Sequence, residues 1–333
     1  MERKNWIDWM KTLGMLAIIW GHCFPELFTP FLYAFSVGMF FFVSGYLARR
    51  EPSHGVFWRK LVRTLLIPYF ILSVLKAIQN VCTADGPYTI GAIVGGFHSV
   101  GDIVGCGKLW FVYTLMVLKI VFQFTEASPR RFSLLVVPSI MAAVAYRHLT
   151  DGAAWAVGNA FLAMPFFLAG HLFRHHPKTI RCLEWLLRTK RWKSLSVALL
   201  SAIVTYAVSY YNGAAWMYMG EYGRWLILFE VSAFSGILFM LTLSCLLDGV
   251  HLTGCKQISI GSMVVLAYHQ DVNHPMLKWI RSYEWSDLTT DMAMMLSSIV
   301  TLLAFIPIVY LLSRYFPVIT GGRKLVIHKG API

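Results

Sequence analysis

Lys11 and His22 stand at the two ends of KTLGMLAIIWGH, a run that is otherwise almost wholly apolar. At about 100° per residue, eleven positions return a helix to within roughly 20° of the same face, about 16 Å further along, so the two side chains share one stripe. Asp8, three residues before Lys11, is near enough on that helix to pair with it. His269 lies eleven residues beyond Ile258, where another apolar run begins, and Gln270, Asp271, Asn273 and His274 follow it. Glu230 sits five residues into the run that starts at Trp225. Two imidazoles and a carboxylate at one depth suit proton handling, because a neutral imidazole accepts a proton near neutral pH and a carboxylate can orient it. The plain alternative for each histidine is a structural hydrogen bond, and His171, near a helix end, reads that way first.

A second group has a different chemistry. Arg59, Lys60 and Arg63 precede the apolar segment LLIPYF, and Arg59 and Arg63, four apart, share a face of any helix running into Pro68. Such a fork can grip phosphates; it also serves simply as cytoplasmic basic charge.

The elements that must carry these groups are helices in a bilayer. The chain has 333 residues, of which 57% are apolar and 14% charged, with a mean hydropathy of +0.61, beyond the range of soluble domains. Runs long enough to cross the hydrocarbon core recur from residue 11 onward. Ten are expected: Leu13–Leu27, Phe31–Ala48, Leu65–Cys82, Leu109–Phe124, Phe132–Arg147, Trp155–Phe173, Leu195–Tyr211, Trp225–Leu247, Ile258–His274 and Met292–Tyr315. None shows the short alternating segments of a β-barrel. The expected class is therefore all-α, a polytopic bundle forming a single membrane domain over residues 1–333, with an outer loop at 83–108, a basic inner loop at 174–194 and an inner tail at 316–333.

Lysine and arginine set the orientation. Threading from a cytoplasmic N-terminus gathers Arg3, Lys4, Lys11, Arg49, Arg50, the 59–63 group, Arg130, Arg131, the 174–194 loop, Lys256, Arg314 and the tail inside. Lys108, Arg147, Arg224, Lys278 and Arg281 fall outside, so both termini are expected in the cytoplasm. The net charge of +13 then reflects loops facing anionic lipid rather than nucleic acid. A cleaved secretory signal is not expected, since no small-residue cleavage site follows the first run. The six cysteines have no metal-ligand spacing, and no metal is expected. Cys82 and Cys106 flank the outer loop and either pair or remain free thiols.

The outer loop holds seven glycines around YTIGAIVGGF, too short to cross and too apolar to be solvated, which points to an interfacial or re-entrant segment. It reads equally as a lid or as packing. The inner loop, with Trp185 and Trp192 among its basic residues, reads as a helix on the headgroups. No internal repeat is visible, against transporters built from duplicated halves.

IDWMKTLGMLAIIWGH resembles the opening of the acyltransferase family 3 membrane proteins, whose first helix carries a basic residue, ten intervening positions and a histidine. FFFVSGYLAR at residue 40, RTLLIPYF at 63, KLWFVYTL at 108, MPFFLAGHLFR at 164 and ISIGSMVVLAYHQ at 258 are similar to further family segments in the same order. The carbohydrate O-acetylase branch, including the fucose O-acetylase-like proteins, looks most similar. Gly170-His171 departs from the Gly-Tyr common there.

The resemblance implies transfer of an acetyl group from acetyl-CoA to a hydroxyl of a cell-surface or lipid-linked glycan, in the cytoplasmic membrane of a bacterium, with a site reached from both faces. Lys11, Arg59, Lys60, Arg63 and Tyr46 would attend the donor. His22 would act as base or acetyl relay, with Glu230 and His269 supporting it. Trp110, Lys108 and Asp271 would meet the acceptor, and the protein would act alone or as a homo-oligomer. The competing reading is a transporter or flippase for the glycan or its lipid-linked precursor, which would also use intramembrane His and Glu.

Overall fold

A computed structural model describes residues 4–82, 109–125 and 157–322, with isolated positions between 134 and 145. Lys108, the glycine-rich loop, Cys106, most of the fifth expected span and the tail beyond residue 322 lie outside the described residues, as does the side chain of Cys82. Among the described residues every regular element is helical. In chain order these are α1 (Asn5–Gly21), α2 (Thr29–Tyr46), α3 (His54–Leu61), α4 (Ile67–Cys82), α5 (Trp110–Thr125), α6 (Val157–His175) and α7 (Pro177–Arg188). They continue with α8 (Arg191–Asn212), α9 (Leu226–Leu246), α10 (Thr253–Ile280) and α11 (Asp287–Tyr315).

Four of these, α2, α8, α9 and α11, are long and apolar enough to cross a membrane unaided. The other expected spans that fall on described residues coincide with helices that are shorter, as α1, α4 and α5, or more polar, as α6 and α10. That is the pattern of helices shielded from lipid by their neighbours. Buried polar groups such as Asp8, His171, His269 and Asn273 lie on α1, α6 and α10, while α8 and α11 expose much of their apolar surface.

Close approach between helices depends on small residues, as membrane packing does generally. Gly45 on α2 faces the backbone of Phe167 on α6, and Gly170 on α6 faces the backbone of Phe42 on α2; neither position has room for a Cβ. This crossing accounts physically for the glycines of FFFVSGYLAR and MPFFLAGHLFR.

One end of the bundle gathers the chain segments that positive-inside threading puts together. Lys4 Nζ donates to Tyr46 Oη at 3.0 Å, and Arg174 Nη1 donates to the Tyr46 carbonyl at 3.0 Å. Trp6 N donates to Asp248 Oδ1 at 2.7 Å, so a carboxylate from beyond α9 caps the first turn of α1 in place of a local capping side chain. Glu51 N donates to Gln123 Oε1 at 3.0 Å, which joins the approach to α3 to the end of α5. Between α3 and α4 the helix runs through a π-turn, Val62–Leu66, next to Pro68, which supplies no N–H for regular pairing.

Candidate active site

A cavity of about 430 Å³ runs beside α1, lined by both Lys11 and His22. Those residues are about 16 Å apart along the helix axis, so the cavity follows the stripe on which the sequence places them. At one end it reaches Ser44, Thr64 of the π-turn, and Thr320 and Gly321 beyond α11. At the other it is bounded by Phe24, Tyr33, Trp216 and Tyr218, and Trp110 and Gln270 also contribute to its wall.

His22 is the first residue beyond α1 and is half-buried. Its Nδ1 lies 2.8 Å from the Ile18 carbonyl. A carbonyl only accepts, so Nδ1 carries the hydrogen and Nε2 holds the lone pair. His269 on α10 is wholly buried, and its Nδ1 lies 3.0 Å from both the Val265 and Leu266 carbonyls. The same argument leaves its lone pair on Nε2. The two rings stand 4.8 Å apart between centroids, so the common depth read from residue counting becomes direct contact.

The turn after His22 is held by groups from the far end of the chain. Asp291, fully buried on α11, accepts from Glu26 N and Leu27 N at 2.9 Å each. Arg281 Nη2 donates to the Cys23 carbonyl at 3.0 Å, and Asn273 Nδ2 donates to Cys23 Sγ at 3.1 Å. The charge-assisted bonds among these, from Asp291 and Arg281, are worth about 1.5–3 kcal/mol each. Within this turn Phe24 has φ +55°, a left-handed conformation that costs a non-glycine residue roughly 1–2 kcal/mol, and it precedes Pro25, which restricts it further.

Trp216 is presented by the α8–α9 connection, which Asn212 organises. Asn212 Nδ2 donates to the Tyr222 carbonyl at 2.7 Å, and its Oδ1 accepts from Trp225 N at 2.8 Å. Trp216 then meets Tyr33 at 4.6 Å and Phe24 at 5.9 Å between ring centroids.

Lys11, His22 and Trp110 are thus brought to one cavity, with His269 directly against His22. Arg59 and Arg63 are exposed near the π-turn; Arg63 packs against the Gly321–Gly322 turn, where a Cβ on Gly322 would lie 3.2 Å from its Nε. Lys60 is ion-paired with Glu51. Tyr46 does not line the cavity: Trp6 packs edge-on against it at 5.1 Å, and it serves as a junction for Lys4 and Arg174. Glu230 is likewise away from the cavity wall, with both carboxylate oxygens buried and accepting no hydrogen bond among the described residues. Asp271 is held by Lys76 Nζ at 2.5 Å, and that ammonium sits 5.9 Å from the Tyr268 ring.

Sequence reasoning misses four residues here. Lys76 is a cation inside an apolar run, a signal that was available. Asp291 falls just before the expected start of the last span at Met292 and so reads as a loop residue, whereas α11 begins at Asp287. Phe24 and Tyr33 carry no sequence signal at all, being aromatic residues among many. His171 lies on α6 against Phe122 and His175, with centroids at 4.9 and 4.4 Å, and does not line the cavity.

The fold and the cavity define a helical membrane protein with paired imidazoles beside an internal chamber. The family model described as an acyltransferase domain matches residues 4–316, nearly the whole chain, and the protein belongs to acyltransferase family 3. That membership, with its apolar helices, supports membrane acyltransferase activity using an acyl donor and an acceptor. No curated protein and no solved structure matches the chain. No cluster of metal-binding side chains occurs among the described residues.

Proposed function

We propose that this protein transfers an acetyl group from cytoplasmic acetyl-CoA to a hydroxyl of a cell-surface or lipid-linked glycan, across a bacterial cytoplasmic membrane. The observation that carries the reading is the contact between His22 and His269 at 4.8 Å, beside a chamber that runs back to Lys11. The gathered basic end of the bundle faces the cytoplasm. There Arg59, Lys60 and Arg63 meet the phosphates of the donor by charge-assisted contacts. Its acyl arm enters past the π-turn, along the stripe from Lys11 to His22. The chamber suits such an arm: long, mainly apolar, with hydroxyls of Ser44, Thr64 and Thr320 near its inner end.

At the far end the acceptor hydroxyl attacks the thioester carbonyl. A bond forms between the hydroxyl oxygen and the acetyl carbon, and the carbon–sulfur bond breaks. The hydroxyl proton passes to His22 Nε2 and from there to the departing thiolate, giving an acetyl ester and CoA thiol. In the relay course Nε2 first takes the acetyl group as the carbon–sulfur bond breaks and CoA thiolate leaves; the hydroxyl then displaces the imidazole from the acetyl carbon, and its proton ends on the thiolate. Both courses use the same nitrogen, whose lone pair is fixed by the bond from Nδ1 to Ile18. His269 steadies the charge that develops on His22 during transfer.

Radiolabelled acetyl-CoA supplied to purified protein in nanodiscs, with membrane glycan as acceptor, tests the reading. Label on the glycan, lost in His22→Ala, is the expected result. Movement of glycan across vesicles with no acetyl transfer would replace the reading with transport.

A further inference from the structure

Phe24 occupies a place where helix ends ordinarily use glycine, a left-handed residue just past the C-terminus of α1. Burial does not explain its ring, since 47% of the residue is exposed. Glycine or asparagine would satisfy the backbone without strain, and the following proline makes an aromatic residue here still less expected. A strained residue persists where its surroundings over-determine it. These do, through Asp291 to Glu26 and Leu27, Arg281 to the Cys23 carbonyl, and Asn273 to Cys23 Sγ.

What the strain achieves is a position. The Phe24 ring lies nearly parallel to that of Tyr33, at 17° with centroids 6.3 Å apart. Trp216 completes the group, at 5.9 Å from Phe24 and 4.6 Å from Tyr33. All three line the chamber, and Tyr33 is also 6.2 Å from His22. A belt of interfacial aromatics would point toward the headgroups; these converge on an internal space, two residues beyond the proposed base. Gln270, which lines the same chamber, carries an amide able both to donate and to accept hydrogen bonds. Aromatic faces carry negative charge density and favour the weakly positive C–H patch of a saturated ring. An aromatic wall with a few placed polar groups is the general composition of a small-ligand site.

We infer that Phe24, Tyr33 and Trp216 form the acceptor subsite and receive the apolar face of a pyranose ring, so that one ring hydroxyl is presented to His22. This deepens the acetyl-transfer reading and rests on it for the role of the bound sugar; sugar binding itself is measured without any transfer.

Saturation-transfer NMR on the full chain in nanodiscs tests it, with methyl α-L-fucopyranoside, methyl β-D-galactopyranoside and methyl α-D-glucopyranoside as probes and cyclohexylmethanol as a ring lacking the hydroxyl array. At least one pyranoside is expected to receive saturation at its ring C–H protons. That signal should fall at least tenfold in Phe24→Gly and Trp216→Ala, survive in Phe24→Tyr, and survive in His22→Ala, where transfer is lost. Trp192→Ala, at the basic end of the bundle, is the control and should leave it unchanged. Phe24→Gly relieves the backbone, so its thermal midpoint should not drop; if the variant fails to fold, Phe24→Asn and Trp216→Ala decide the question. Absence of pyranoside binding to the wild type, binding indifferent to Phe24→Gly and Trp216→Ala, or equal saturation of cyclohexylmethanol would each overturn the subsite. Failure of the radiolabel experiment with pyranoside binding intact would instead remove the transfer reading and leave the subsite standing.

Discussion

Two pairs of imidazoles are in ring contact among the described residues, and they differ in how they are made. His171 and His175 are four apart on α6, and their 4.4 Å contact follows from helix periodicity alone. His22 and His269 come from opposite ends of the chain, and their 4.8 Å contact exists only because α1 packs against α10. In the first pair His171 packs against Phe122 and neither ring lines the chamber; in the second His22 lines it and His269 stands behind His22. A pair of imidazoles in contact is therefore not in itself a site. What separates them is a cavity on one side and a turn held from three directions on the other.

The sharpest way to break the comparison is to remove His22. His22→Ala is expected to lower acetyl transfer by about 10²–10⁴-fold, the range for loss of a positioned base, with an unchanged far-ultraviolet dichroism spectrum. His269→Ala should cost about tenfold to a hundredfold in kcat with little change in the donor KM, because its ring meets His22 and not the donor. A change confined to KM would place it elsewhere in the reaction. Asp291→Ala removes two charge-assisted bonds from the turn and should lower stability by about 3 kcal/mol, with Asp291→Asn recovering part of the loss in both stability and kcat. Equal stability of Asp291→Ala and wild type in a thermal melt would show that the turn holds itself. Charge reversal at Arg63 should raise the donor KM severalfold and leave kcat alone; an indifferent donor dependence would remove Arg63 from the docking face. His171→Phe is expected to move turnover by less than about twofold, and a large loss there would erase the distinction between the pairs.

Much of the site was legible in the chain before any coordinates, because helix geometry converts residue counts into depth. The spacing of Lys11 and His22 put both on one stripe, and counting from Ile258 put His269 at the level of His22. Counting says nothing about which way a side chain faces around a helix, and Glu230 shows the cost: its carboxylate lies buried away from the chamber wall. Long-range latches are also invisible to pattern reading. The pairing of Asp291 with Glu26 and Leu27 depends on the packing of α11 beside α1, and that of Lys76 with Asp271 on α4 beside α10. Of the ten expected spans, four fall on described helices that are long and apolar enough to cross a membrane by themselves, while α1, α6 and α10 carry buried polar residues that lower their hydropathy.

The central claim is that His22 Nε2 is the nitrogen on which acyl donor and alcohol converge. Chemical rescue tests it most directly: acetyl transfer by His22→Gly in nanodiscs, followed with and without added imidazole. The account predicts that transfer is lost in the variant and returns in proportion to imidazole concentration, reaching a plateau as the vacated space fills. Wild-type turnover in His22→Gly without imidazole would contradict it.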